Sequence, residues 1–158
     1  MLIIANMPKV IDLAKSTVSI LMIVCWLGIQ SIAQAAEESV SVRVASYNVE
    51  FGKNASPEEI GEMFKPYQLD VIGFSEVPGG DWTERVGRIL GMEYTYVGEI
   101  SSANHKDKYK SLLSRTPLTK THEITIDAKG WAPASMVGAQ AIVRRVPIFL
   151  YSRNILSN

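Results

Sequence analysis

Residues Val42 to Val77 read VRVASYNVEFGKNASPEEIGEMFKPYQLDVIGFSEV, and this stretch decides the fold. Its first residues alternate between apolar and polar, which is typical of a strand with one buried face. The nearly all-apolar run Val71 to Phe74 predicts a second strand that is covered on both faces. A polar side chain follows each strand, Asn48 after the first and Glu76 after the second. The stretch therefore predicts two neighbouring strands that end in an amide and a carboxylate.

A helix is predicted between these two strands. Ser56 can cap its N-terminus, Pro57 fits the first helical position, and Glu59 completes a capping box. Pro66 is expected to end this helix. A second helix is predicted after a cap at Asp81. The two strands are thus joined by a helical connection.

The rest of the chain is predicted to be mostly strands. They are expected at residues 93–98, 109–114, 119–126, 136–143 and 146–150. Because the helical connections stop early, the order favours a layered α/β (α+β) sandwich over a doubly wound sheet.

The composition is that of one globular domain. The chain has 158 residues, of which 47% are apolar and 20% charged, so disorder is not expected. Lys and Arg number 16, as do Asp and Glu, and the formal net charge is zero. This balance neither indicates nor excludes a polyanionic partner, because a local basic patch can form on a neutral chain.

The first 35 residues have the pattern of a secretory signal. Lys9 and Lys15 precede the apolar run 16–29, and Ala33-Gln34-Ala35 follows as a cleavage site. The alternative is an uncleaved membrane anchor, but the apolar run is shorter than the ~20 residues that span a bilayer. Cleavage would remove Cys25, the single cysteine, so the mature protein would have no disulfide. We therefore expect export to a bacterial periplasm or the exterior.

The stretch Val42–Val77, with Tyr109–Leu118 (YKSLLSRTPL), resembles the endonuclease/exonuclease/phosphatase family, which includes deoxyribonuclease I and the sphingomyelinases. The resemblance covers about half of a family domain. It implies the N-terminal part of a four-layer α/β sandwich of the deoxyribonuclease I type. The expected organisation is a signal peptide at 1–35, the family domain part at 36–143 and a divergent tail at 144–158.

The resemblance also implies a phosphoester hydrolase that depends on Mg²⁺ or Mn²⁺. Glu76 is implied as the metal ligand, and Asn48 as the residue that holds a phosphate oxygen and orients the attacking water. Tyr109 is a weaker candidate for a substrate contact. Lys110 and Arg115 could meet phosphates, but we expect both to be solvated charges. Taken without the resemblance, Glu76 is a solvated strand-end residue and Asn48 a turn former. Nucleic acid, sphingolipid and smaller phosphoesters all stay open as substrates, with nucleic acid the first choice.

Two later motifs of the family do not occur in this sequence. They are an Asp-x-Asn pair that supports the transition state and an Asp-His pair that activates water. We therefore expect a truncated or frame-shifted member, whose missing half would leave one sheet face bare. One alternative is an inactive remnant, or a binding module that pairs with a separate second half or partner chain. Another is an exported α/β interaction protein that uses Trp82, Trp131 and its tyrosines.

Overall fold

The computed structural model describes residues 40–128, 130 and 132–153. The predicted signal segment and Cys25 lie outside these residues, as does Trp131. Within the described part, no helix combines the length and the apolar character needed to cross a membrane.

The described residues form two sheets and two α-helices. The elements in chain order are β1 (Val44–Asn48), α1 (Pro57–Phe64), β2 (Val71–Val77), α2 (Trp82–Leu90), β3 (Tyr94–Val97), β4 (Tyr109–Ser114), β5 (Leu118–Ile126), β6 (Ala134–Val143) and β7 (Val146–Arg153). The first sheet has the order β1-β2-β4-β3, and the second has the order β5-β6-β7. β1 and β2 are parallel, and every other pairing is antiparallel.

Helix α1 begins as the sequence predicts. The Glu59 amide donates to Ser56 Oγ at 3.2 Å, and the Ser56 amide donates to Glu59 Oε2 at 2.8 Å. These two bonds form the predicted capping box. The helix ends at Phe64, just before Pro66.

The predicted side-chain cap of α2 is wrong. Asp81 stands at the N-cap position, but its side chain makes no capping hydrogen bond. Its backbone, at φ −88° and ψ 11°, is not in the extended region that a capping side chain needs. Asp81 Oδ2 instead accepts a 3.4 Å hydrogen bond from Arg88.

Both helices cover one face of the first sheet. Phe74 on β2 is fully buried there, and its ring makes edge-to-face contacts with Phe64 and Trp82. The helices also pack closely against each other, because Gly61 of α1 lies directly against Ile89 of α2. The helical connection between the parallel strands β1 and β2 thus packs against α2.

The second sheet covers the other face of the first. Val71 packs with Ala141 and Val143 of β6 in the space between the sheets. Ser152 on β7 donates to the Phe74 carbonyl oxygen at 2.9 Å and so ties the two sheets together. The result is a helix–sheet–sheet stack, which confirms the predicted layered α/β class.

Residues 146–153 of the expected tail form an integral strand of the second sheet. β7 pairs with β6 along its whole length, from Val146 opposite Val143 to Arg153 opposite Met136. Arg144 and Arg145 connect the two strands and both have positive φ, as two-residue hairpin turns require.

Within residues 40–128, 130 and 132–153, no element covers the outer face of the second sheet. This face exposes large apolar side chains, namely Ile124, Ile142, Phe149 and Tyr151. In the described part of the chain, no helix covers this face as α1 and α2 cover the first sheet. These side chains form an apolar surface on the outer side of the second sheet.

Candidate functional site

The parallel pairing of β1 and β2 brings Asn48 and Glu76 together. The C-terminal ends of both strands lie at the same edge of the sheet, and Asn48 stands opposite Ser75, the residue before Glu76. Asn48 is exposed and Glu76 is half-buried, so solvent reaches both side chains. Ligand sites in α/β layers form at this kind of edge.

A local irregularity of β2 places Glu76. The pairing with β4 shifts register between Ser75 and Val77, which leaves Glu76 as the extra residue of a bulge. Its φ of +56° is in the left-handed region, which costs a non-glycine residue about 1–2 kcal/mol. A bulge redirects a side chain out of the regular alternation. Within the described residues the Glu76 carboxylate accepts no hydrogen bond and forms no ion pair.

Asn48 forms the turn that its residue type favours. Its Oδ1 accepts a 2.9 Å hydrogen bond from the Glu50 amide. The turn continues through Glu50, Phe51 and Gly52, which have φ values of +46°, +64° and +67°. A carbonyl oxygen has two lone pairs, so Oδ1 keeps one acceptor position and the amide nitrogen keeps its donors. Asn48 can therefore hold the turn and still meet a ligand.

Tyr109 joins the same edge of the sheet from β4. It pairs with Val77, the residue after Glu76. Its ring lies against Gly79, where a Cβ would be 3.1 Å from Tyr109 Cε2. The three candidate site residues, Asn48, Glu76 and Tyr109, thus lie at one edge of the first sheet.

The prediction that Lys110 is solvated is wrong. The residue is 0% exposed. It stands opposite Ser75, and its ammonium donates to Ser102 and, at 3.3 Å, to the Lys108 carbonyl oxygen. Burial lowers the pKa of Lys110, while the negative charges of Glu123 and Glu76 act to raise it. The Lys110 amine therefore lies inside the protein, behind the sheet edge that carries Glu76.

Glu123 of β5 is half-buried and close enough to Lys110 for its charge to act on the pKa of that amine. Its carboxylate accepts a 2.7 Å hydrogen bond from the Glu99 amide and a 2.5 Å hydrogen bond from Ser135 Oγ. The Ile100 amide also donates to it, at 3.2 Å. The sequence patterns did not select Glu123, whose one local signal is that it is the single acidic residue of β5.

Three other polar residues have structural or surface positions. Arg115, expected to be a solvated charge, donates to the backbone oxygens of Leu69 at 2.8 Å and Leu90 at 3.1 Å. His122 is exposed on β5, and His105 is exposed in a loop.

Trp82 is buried, which removes it as a surface anchor for an interaction protein. Its Nε1 has no hydrogen-bond partner within the described residues.

Among the candidate site residues, Glu76 is the one that offers a carboxylate to a metal ion. Across the described residues, no group of three or more His, Cys, Asp or Glu side chains could hold a metal ion. Mg²⁺ typically binds through one or two carboxylates plus substrate phosphate and water. An open carboxylate at Glu76, at a strand end next to the one that carries Asn48, fits such a site in its simplest form.

No family model matches the chain, and no curated protein matches it. Among solved structures it is similar to an endonuclease/exonuclease/phosphatase family protein from Leptotrichia buccalis C-1013-b, with a TM-score of 0.53 and 14% identity. It is also similar to sphingomyelinase C from Streptomyces griseocarneus, with a TM-score of 0.52 and 15% identity. Each match covers 73% of this chain.

These similarities show the fold. The chain has part of the deoxyribonuclease I-like fold that both proteins share, as the resemblance implied. It spans 55% of the first protein and 49% of the second, about half the length of each.

Proposed function

We propose that this chain is the N-terminal part of an exported, metal-dependent phosphodiesterase of the endonuclease/exonuclease/phosphatase family. The observation that carries the proposal is the placement of Asn48 and Glu76 at adjacent ends of two parallel strands. The fold supports it, because the chain shares this fold with a member of that family and with a sphingomyelinase C. Fold similarity alone does not define an activity, so the argument rests on the site.

Each residue at the edge has a distinct role in this proposal. Glu76 holds Mg²⁺ or Mn²⁺ through its open carboxylate. The metal, when bound, polarises the phosphate and stabilises the charge that develops during attack by water. Asn48 donates from its amide nitrogen to a phosphate oxygen and thereby orients the substrate. Tyr109, which borders the same edge, contacts the part of the substrate beyond the phosphate.

The group that activates the attacking water is proposed to come from another segment or from a partner chain. The Asp-x-Asn and Asp-His pairs are absent from this sequence. The bare outer face of the second sheet supports an additional covering element, because exposed apolar patches of this kind mark protein contacts. The chain alone is therefore expected to bind metal and phosphate but to turn over slowly.

The experiment measures metal binding and phosphodiester cleavage together. Thermal unfolding of the protein is followed while Mg²⁺ or Mn²⁺ is added, and hydrolysis of bis(4-nitrophenyl) phosphate is assayed with and without chelator. A ligand at 100 times its Kd stabilises a protein by about 2.7 kcal/mol, so a clear, saturable shift in Tm is expected. Glu76→Gln should abolish the shift and any chelator-sensitive cleavage.

Glu84→Gln is the matched control, since Glu84 is an exposed acid in the first turn of α2. It should behave like the unchanged protein. Equal metal responses in all three proteins would refute the role of Glu76. A metal-induced Tm shift without cleavage, lost in Glu76→Gln, would favour the alternative of an inactive binding module.

A further inference from the structure

Strand β7 is a free edge of the second sheet. Within the described residues it pairs on one side only, with β6, and this pairing has no bulge. The strand reads VPIFLYSR, and its first six residues, Val146 to Tyr151, are all apolar or aromatic. Proteins usually protect a sheet edge with charges, bulges, prolines or short strands. The protection here is limited to Pro147, near the start of the strand, so the edge is suited to pairing with another strand.

The hairpin before β7 determines which backbone groups point to the free side. Val143 lies opposite Val146 across a two-residue turn, so this first pair is hydrogen-bonded. Hydrogen-bonded and non-hydrogen-bonded pairs alternate along antiparallel strands, so Pro147, Phe149 and Tyr151 direct their backbone groups away from β6. Pro147 has no N–H and offers only its carbonyl oxygen. Phe149 and Tyr151 each offer a donor and an acceptor.

A cavity opens at the same side of the molecule, toward the first sheet. It has a volume of about 480 Å³ and lies between β7 and β1, the edge strand of the first sheet. Val44, Leu112 and Leu150 are among its lining residues, and none of the described residues that line it is charged. Val44 is 60% exposed. A strand added beside β7 would therefore bury apolar area if its inward side chains were apolar.

The outward rings of β7 are held over their own sheet. The Tyr151 and His122 rings meet edge to face, with centroids 5.9 Å apart. They close over Gly138, where a Cβ would be 2.6 Å from His122 Cε1 and 2.8 Å from Tyr151 Cε1. The Lys120 ammonium lies 6.0 Å from the centroid of the Phe149 ring. These contacts draw both rings toward β5, away from the free edge, and leave the backbone of β7 accessible.

A second β7, running antiparallel, matches this edge when Leu150 lies on a two-fold axis. Phe149 then stands opposite Tyr151 of the copy, and both N–H···O=C bonds form between them. An axis at Phe149 would instead put Tyr151 opposite Pro147, which has no N–H to donate. An axis at Tyr151 would shorten the overlap from residues 147–153 to 149–153. The axis at Leu150 therefore combines full overlap with the best use of the free backbone groups.

The side chains of β7 have the same symmetry about Leu150. Ile148 and Leu150 pack toward the first sheet, while Phe149 and Tyr151 are 63% and 55% exposed on the outer face. In the two-fold pairing, aromatic residues face aromatic residues on the outer side, and Leu150 faces its equivalent on the inner side. Such cross-strand pairs stabilise antiparallel sheets. An identical strand thus provides the apolar residues that both faces of this edge require.

We propose that β7 is a self-association strand, through which two copies of this chain pair antiparallel about a two-fold axis at Leu150. The two three-stranded sheets then join into one continuous sheet. A separate polypeptide is the competing occupant of the edge, and the experiments distinguish the two. The inference does not depend on the proposed phosphodiesterase function, because neither Glu76 nor Asn48 takes part in the pairing.

The size of the contact sets the expected affinity. Eight residues at ~3.4 Å each span about 27 Å, and a sheet layer is about 10 Å thick, so roughly 300 Å² is buried on each copy. Stable interfaces bury about 800 Å² on each partner. We therefore expect a weak, reversible dimer, with a Kd on the order of 10–100 µM.

Sedimentation velocity over about 1–300 µM protein brackets this Kd and tests the association. Phe149→Lys places a charge on the free edge, opposite Tyr151 of the copy, and should raise the Kd at least about tenfold. Ile142→Lys is the matched control, since Ile142 is 59% exposed on the same outer face but lies on β6, away from the edge. It should leave the Kd within about twofold of the unchanged value. Circular dichroism verifies that both variants fold.

Cysteine cross-linking tests the register. In a Cys25→Ser background, Leu150→Cys puts two equivalent Cα atoms about 4.5 Å apart at the axis, close enough for a disulfide. Mild oxidation should therefore yield a covalent dimer on a non-reducing gel. Ile148→Cys is the control, because its equivalents are offset by four residues, or roughly 14 Å along the strand. It should stay monomeric under the same conditions.

Three results would overturn the inference. One is a monomer over the whole concentration range, and another is equal weakening by Phe149→Lys and Ile142→Lys. The third is equal cross-linking of the Leu150→Cys and Ile148→Cys proteins. A protein that stays monomeric alone but gains mass when a separate polypeptide is added would assign the edge to that partner instead. Glu76→Gln should dimerise like the unchanged protein, so a failure of the proposed function leaves this test intact.

Discussion

The close contact between α1 and α2 gives a prediction whose size follows from the structure. Adding a methyl group at Gly61 would put its Cβ 2.6 Å from Ile89 Cβ and 2.8 Å from Ile89 Cγ2. Both atoms are near the backbone of Ile89, so rotation of a flexible side chain cannot relieve the clash. The two helices would have to separate, and with them the connection that aligns β1 with β2.

The expected loss of stability can be estimated from two opposing effects. Overpacking of a tight interface costs about 1–3 kcal/mol, and Ala gains about 0.5–1 kcal/mol over Gly inside a helix. Gly61→Ala should therefore lower the free energy of unfolding by about 1–2 kcal/mol. For a domain of this size, the corresponding fall in Tm is about 4–10 °C.

A double-mutant cycle with Ile89→Ala tests the cause of the loss. Urea unfolding followed by circular dichroism gives the free energy for each variant. Once Ile89 is shortened, Gly61→Ala should cost little or even stabilise the helix, which gives a coupling energy of about 1–2 kcal/mol. Additive effects, or a Gly61→Ala protein more stable than the unchanged one, would show that the helices do not pack in this way.

Two more predictions concern pH and export. Arg85 donates to Glu58 at 2.8 Å, and this hydrogen bond lowers the pKa of Glu58 below 4.5. The folded state thus favours ionised Glu58, so its contribution to stability is present above pH 4.5 and is lost as pH falls through the lowered pKa. The drop in unfolding free energy at acid pH should be smaller in Glu58→Gln, and an unchanged pH profile would contradict the pairing. Export predicts that N-terminal sequencing of secreted protein begins at Ala36, whereas recovery of the intact N-terminus in membranes would indicate an anchor.

The sequence by itself determined the elements whose signals are local. The capping box of Ser56 and Glu59 involves residues three positions apart, so the start of α1 can be read directly from the chain. The alternation of β1 and the apolar run of β2 are local in the same sense. A strand that ends in Asn48 and another that ends in Glu76 follow from these patterns, and so does the layered α/β class.

The tertiary structure decided what depends on contacts between distant segments. The parallel register set Asn48 beside Ser75, and the bulge at Glu76 arose from pairing with β4, more than 30 residues away. Lys110 looks like a surface charge in sequence, yet the second sheet buries it. Local propensity cannot encode such placements, because they depend on which strands pair and which faces they cover.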